Sequence, residues 1–380
     1  MMASSEPQQL PSRLAPLREA LARIDALAQP VEPREVDLAA AAGRVLAADV
    51  VVAAPLPPTA VALRDGWAVR SDRVTDAGPY APQPLAPAPV FVETGAPLPA
   101  DADAVLPPDA VTLRGGLAEA TATVVPGEGV LAAGADAEPG RPLRRAGAPI
   151  RATDLAVLRA AGVPRVAVRE PRLRVVTANP HIDAIDDTVA PLIARAIAAA
   201  GGVAEIVRVA PDGAPALARA LQDSRPADAL VVIGGTGVGR RDASVRTLAR
   251  LGQLDIHGVG LVPGESAAIG VMGARPVLVV PGRLDAALAA WLVLGRHLLM
   301  RLTGRSDPAP GVPVRLARKI VSTVGLAEVV LVRRGDGGAE PIASGSFPLQ
   351  ALAQADGWVL VAPDSEGFPP GATVAMHALP

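Results

Sequence analysis

From Arg172 to Gly304 the chain alternates short β-branched runs with segments of helical spacing, and this alternation limits the fold more than any other feature. "RLRVVTAN", "VAEIVRVAP", "ADALVVIGGTG" and "PVLVVPG" read as buried strands. Between and after them, "DTVAPLIARAIAAAGG", "GAPALARALQDS", "ASVRTLARLG" and the long, mostly apolar "LDAALAAWLVLGRHLLMRLTG" read as helices. Strands and helices in this order imply βαβ units and a parallel sheet covered on both faces.

At 380 residues the chain exceeds what one core usually supports, so further domains are expected. "LREALARIDALAQP" is read as an amphipathic helix ending before Pro30, and "EVDLAAAAGRVLAADV" as a second helix. "RATDLAVLRAAGV" is a third, with Thr153 or Asp154 near its start and Gly162 past its end. The stretch between the last two is β-rich, broken by Pro, Gly and Asp. After the linker "TGRSDPAPGVP" come four more short strands. The expected division is an N-terminal helical segment at 1–50, a β-rich domain at 51–149, a helical connection at 150–169, a central parallel α/β domain at 170–305 and a C-terminal small β domain at 312–380.

Composition narrows the chemistry. There is no cysteine, which removes disulfides, thiolate metal sites and cysteine nucleophiles together. A net charge of −2 argues against nucleic acid as a partner. No uninterrupted apolar run of the roughly 20 residues needed to cross a bilayer is seen, and the start lacks an apolar signal core, so no membrane association and a cytoplasmic location are expected. Lys319 is the sole lysine, so positive charge is almost entirely guanidinium.

"VVIGGTGVGRRDASV" places a glycine cluster at the carboxyl end of a strand, where ligands bind in open α/β sheets. Gly234, Gly235, Gly237 and Gly239 with Thr236 could cradle an anion, and Asp242 could hold magnesium; equally, the stretch could be a tight turn with Asp242 as a helix cap. The GK[ST] ending of a nucleotide-hydrolysing loop is absent. Asp183, Asp186 and Asp187 precede a helix, where carboxylates either cap it or coordinate magnesium. In "LRDGWAV", Asp65–Gly66 reads as a turn.

Taken in order, these segments resemble the molybdopterin molybdenumtransferase family, the MoeA-type proteins related to the gephyrin E domain. The resemblance rests on "LRDGWAV", "ETGAPLPADADAVLPPDAV", "GGTGVGRRD", "LVPGES", "VVPGRLDA" and "SGSFPLQALAQADGWVLV", and spans nearly the whole chain. It implies a homodimer that binds adenylated molybdopterin and molybdate, inserts molybdenum at the pterin dithiolene with magnesium, and releases AMP. By the same resemblance Asp65, Asp187 and Asp242 are catalytic, with Asp187 and Asp242 on the metal, and Asp103 matches another acidic motif position. Thr177, Gly234, Gly235, Thr236, Gly237, Gly239, Pro263, Gly264, Pro281, Gly282 and Arg283 line the pterin-phosphate site.

Departures from the family pattern are specific. Its T-G-D-E-L is "TANPH" here, with Asn179 and Pro180 in place of two carboxylates. Gly258, Val262 and Glu265 stand where the family carries lysines, Gly237 replaces a serine, and Arg283, Leu284, Asp285 and Ala286 replace its N-P-x-S. Arg240, Arg241 and Arg283 offer replacement charge. Two functions follow from the resemblance: a working transferase, or a catalytically degenerate paralogue that carries the pterin cofactor or joins a partner in assembling molybdoenzymes.

Overall fold

Apolar residues three and four apart put Leu17, Ala20 and Ile24 on one buried face of α1 (Leu17–Leu27). The structure, a computed structural model, describes residues 13–178, 188–209, 214–238, 242–305 and 311–380. The chain divides into two compact units, one of Met1–Ala48, Ala146–Leu155 and Arg165–Pro380, the other of Asp49–Arg145 and Ala156–Pro164.

The second helix expected near the N-terminus is not formed. Arg34–Asp37 and Val45–Leu46 are instead strands on either side of Arg165–Arg169, joined by a single 3-10 turn at Leu38–Ala40. Gly43, at φ +77°, stops any helix after the alanine run, and the flanking valines are buried by pairing with the later strand. The helix Ala152–Ala160 does form, with Asp154 accepting from the Arg151 N–H at 2.8 Å.

The smaller unit is built of short antiparallel strands. Gly66–Val69 lies between Val90–Val92 and Ala104–Leu106, and a side chain at Gly66 would put its Cβ 2.0 Å from the Leu106 carbonyl oxygen. That approach is why a glycine follows Asp65.

In the larger unit the sheet contains β1 (Arg172–Thr177), β2 (Val203–Arg208), β3 (Ala229–Ile233), β4 (Gln253–His257), β6 (Ala268–Met272) and β7 (Arg275–Val280), while β5 (Leu261–Val262) leaves it. Its order is β2-β1-β3-β7-β6-β4. The first four strands run parallel, but β6 pairs antiparallel with both β7 and β4, so the sheet is mixed where a purely parallel one was expected. β6 reaches β7 through the tight turn at Gly273, which permits only a hairpin.

Along β3, Ala229, Val231 and Ile233 face one core and Leu230 and Val232 the other; β7 alternates likewise. This double burial explains the unbroken apolar runs of the sequence. One face is covered by α1, α2 (Val189–Ala199) and α5 (Leu284–Thr303), the other by α3 (Ala214–Gln222) and α4 (Ser244–Leu251). α5 is long and apolar enough to cross a membrane by length and composition, yet 72% of its apolar window is buried inside the protein. It is a core helix with a π turn at Trp291–Gly295, where the Trp291 ring occupies the space above Gly295.

The C-terminal strands β8 (Val312–Arg315), β9 (Ala327–Gly335), β10 (Gly338–Ala343), β11 (Gly357–Val361) and β12 (Thr373–Met376) include a sheet of β5, β9, β10 and β11. β5 pairs parallel with β9, Leu261 beside Ala327 and Val262 beside Glu328.

Behind α3, two arginines close the helix end. Arg174 on β1, fully buried, donates to the carbonyls of Asp223 at 3.0 Å and Arg225 at 3.1 Å, and Arg275 on β7 donates to those of Leu221 at 2.8 Å and Asp223 at 3.0 Å. The terminal carbonyls of a helix need such partners. Arg225 holds the Asp223 carboxyl down from 3.8 to about 2, chiefly through side-chain hydrogen bonds at 2.7 and 2.9 Å and then through its backbone N–H. A carboxyl whose folded value is depressed contributes stability above its unfolded value and loses it as pH falls towards its folded one. Asp223→Asn is therefore expected to flatten the fall of unfolding free energy between pH 4 and pH 2, measured by urea titration across that range, and an unchanged slope would refute the assignment.

Candidate functional site

β1, β3 and β7 end side by side, with Thr177 beside Ile233 and Ile233 beside Val280. The ladder continues one residue further, the Ala178 N–H donating to Ile233 and the Gly234 N–H to Val280, each at 2.9 Å. There the chain must turn away from the sheet, and Gly234 and Gly235 do so at φ +89° and +70°. Gly234 meets Gly282 of the loop after β7, whose Cα is 3.7 Å from the place of a Cβ on Gly234. Two bare backbones thus lie against each other at the carboxyl edge of the sheet, where a phosphate can approach main-chain N–H groups.

Hydroxyls collect at this edge. Thr236 is buried, its Oγ1 is 2.8 Å from Ser266 Oγ, and its carbonyl is 3.2 Å from His257 Nε2. Ser244 Oγ donates to the Gly234 carbonyl at 2.7 Å, and its N–H to the Gly235 carbonyl at 3.1 Å, so the loop is tied to the first turn of α4. Thr177 is 4% exposed, and among the described residues its buried Oγ1 has no hydrogen-bond partner. A buried hydroxyl left unpaired costs about 1–3 kcal/mol, which a ligand oxygen would relieve.

Asp242 lies across the glycine loop, its Oδ2 2.7 Å from the place of a Cβ on Gly237. It does not cap α4, whose preceding residue is Ala243 and which has no side-chain cap. The glycine found where the family has serine therefore leaves the space that this carboxylate fills.

Pro263 and Gly264 follow β5. Gly264, at φ +127°, faces the α5 backbone, the place of a Cβ on it lying 3.4 Å from the Ala286 carbonyl oxygen, and its N–H donates to Glu265 Oε2 at 3.0 Å. Pro281 is buried, whereas the Arg283 side chain is 78% exposed and its Nη2 lies 2.8 Å from Asp285 Oδ2. Buried Asp285 also accepts from the Ala286 N–H at 2.9 Å and from the Phe347 N–H at 3.4 Å.

Asp65 belongs to the smaller unit. It is exposed and accepts from the Thr94 N–H at 2.7 Å and hydroxyl at 2.8 Å, so "LRDGW" and "ETGAPLP" meet. The Thr94 N–H, then its hydroxyl, hold the Asp65 carboxyl below the usual range. Asp103 is taken up by Ser71, through the N–H at 2.7 Å and the hydroxyl at 2.9 Å. Asp183, Asp186, Asp187, Asn179, Pro180, Gly239, Arg240 and Arg241 lie outside the described residues. Among the described residues no three His, Cys, Asp or Glu gather as a metal cage. Magnesium does not demand one: it commonly takes one or two protein carboxylates, with water and phosphate oxygens completing its shell. Asp242 fits that role.

Known proteins resolve the family. Residues 15–162 match the MoeA N-terminal region (domains I and II), 174–301 a probable molybdopterin binding domain, and 313–379 the MoeA C-terminal region (domain IV). The molybdopterin molybdenumtransferase 1 of Mycobacterium tuberculosis is 30% identical over 396 residues, covering 90% of each chain. This chain belongs to the MoeA-type molybdopterin molybdenumtransferase family. A putative molybdopterin biosynthesis protein of Methanocaldococcus jannaschii is 26% identical over 91% of this chain and 92% of its own. The MoeA crystal structure from Pyrococcus horikoshii superposes with a TM-score of 0.78 at 26% identity, covering 97% of this chain and all of the other. The MoeA-type assignment places the chain in molybdenum cofactor biosynthesis, and the match to the molybdopterin binding domain contains Thr177, the loop from Gly234, and Pro263, Gly264, Pro281 and Gly282.

Ser244, Ser266 and His257 also touch the loop, and the last two carry no signal of their own in the sequence. Ser244 alone could have been suspected, as a hydroxyl at the start of a helix following a glycine loop.

Proposed function

We propose that the protein binds adenylated molybdopterin at the carboxyl edge of β1, β3 and β7, takes molybdate as its second substrate, and transfers molybdenum to the pterin dithiolene with release of AMP. The observation that carries this reading is a pair of left-handed glycines at the strand end beside the buried Thr177 hydroxyl, which has no partner among the described residues. Gly234 and Gly235 admit a phosphate to the backbone, and Thr236 and Ser266 supply neutral donors to its oxygens. Asp242 would hold magnesium, which when bound neutralises phosphate charge as the bond to AMP breaks. The same reading includes a cytoplasmic homodimer, as the resemblance to the family implies.

A second reading, that the protein is a cofactor carrier or an assembly factor for molybdoenzymes, is favoured by Glu265. Its carboxylate sits in the loop where the family carries a lysine, and it holds the Gly264 N–H. A negative charge there opposes an incoming anion.

One experiment separates the two. Purified protein is given adenylated molybdopterin, molybdate and magnesium, and released AMP and retained pterin are measured together. Transfer is expected, with Asp242→Ala reducing AMP release on the order of 100-fold. Retained pterin without AMP establishes the carrier, and neither product nor retention overturns both readings.

A further inference from the structure

Far from the glycine loop, α1, α2, the second half of α5 and the C-terminal strands enclose a cavity of about 530 Å³. That is the size of small-molecule sites, about 300–1,000 Å³. Arg296 lies 12 residues beyond Leu284, the start of α5, or roughly 18 Å along a helix at 1.5 Å per residue, so this cavity is distinct from the pterin edge.

Its walls are apolar, with Leu21, Ala196, Leu299 and Leu360 among them. Trp291 and Trp358 add aromatic surface. Trp358 is stacked on His377, ring centroids 4.7 Å apart, and the Arg296 guanidinium lies 5.5 Å from the Trp358 ring centre. The carboxylate of Asp25 is engaged elsewhere, 2.8 Å from His297 and 3.2 Å from Arg301. Among the described residues no carboxylate pairs with Arg296. Burial, and then repulsion from Arg305, which also lines the cavity, depress the Arg296 pKa.

Among the described residues the half-buried guanidinium has the face of Trp358 beside it but no counter-ion, and an unpaired buried charge is costly. An anion entering here gains the pair, and an apolar ring attached to it gains the walls. The planar fork of arginine fits a carboxylate through two parallel hydrogen bonds. We infer that this cavity binds a planar aromatic carboxylate, anchored by Arg296 and packed against the apolar walls formed by α1, α2, α5 and Leu360. The inference does not depend on the proposed transfer reaction.

Two of the three tryptophans line the cavity, so their fluorescence reports occupancy directly. The intact protein is titrated with 2-naphthoate and, separately, with neutral 2-naphthamide. Saturable quenching by naphthoate is expected, with naphthamide at least tenfold weaker. Arg296→Gln is expected to erase that preference while leaving the melting midpoint within a few degrees. Equal affinity for the two probes overturns the inference even if the variant does not fold. So does the absence of saturable quenching, as when a second copy of the chain covers the cavity, and so does an Arg296→Gln protein that keeps the preference.

Discussion

Protein carrying Gly235→Val is expected to retain no pterin through desalting and to release AMP at under a hundredth of the parental rate. Gly235 sits at φ +70°, where a β-branched residue is a steric outlier. Its Cβ would fall 2.4 Å from Ser244 Oγ and 3.1 Å from Ser244 Cβ and N, the last being backbone that cannot swing aside. Left-handed backbone costs an ordinary residue about 1–2 kcal/mol before any clash is counted. The loop is also held by the Ser244 hydrogen bonds to Gly234 and Gly235, so relief requires it to leave the first turn of α4. Gly235→Ala has the same Cβ without the branch and should fall between the two proteins. Pterin retention at the parental level in the valine variant would remove this loop from the binding site.

The largest loss of stability is expected from Arg174→Ala, about 4 kcal/mol by urea unfolding, the sum of a cavity and broken hydrogen bonds. Arg174 is fully buried, ion-paired with Glu205 at 3.0 Å and bonded to two carbonyls beyond α3. Arg275 still serves the Asp223 carbonyl and Arg225 still pairs with Glu205, but the Arg225 carbonyl loses its side-chain donor. Arg174→Met fills most of the volume and should recover roughly half of the loss. Activity per folded molecule should be unchanged, because Arg174 lies three residues, about 10 Å of strand, from Thr177. A loss under about 1 kcal/mol would show that the network does not hold α3.

Part of this architecture is legible in the residues and part is not, for physical reasons. Strands buried on both faces, such as β1 and β3, leave unbroken apolar runs, and βαβ spacing then constrains their pairing. β4 and β6 leave no such mark: "GQLDIHGVGLVPGESAAIGVM" is punctuated by glycines that serve close backbone approaches, as at Gly270, where a Cβ would meet the Gln253 carbonyl oxygen at 2.2 Å. The alanine run at Ala39–Ala42 favours helix locally, yet burial of Val36, Val45 and Leu46 against a strand more than 100 residues later prevails. At the site the glycines and Asp242 are visible because turns and charges are local. The hydroxyl pair is not, since Thr236 and Ser266, thirty residues apart, meet only once the sheet has brought their two loops together.

The parallel pairing of β5 with β9 bears on how such a chain can change over time. The segment that leads into Pro263 and Gly264 is an edge strand of the C-terminal sheet, so part of the framework of the proposed site is borrowed from what would otherwise be a detachable module. A recombination event that exchanged everything after residue 311 would give that loop a new neighbour. Successful exchanges should therefore carry the matching Leu261–Val262 segment with them, and the unit of inheritance for this site is larger than the domain that contains its glycines.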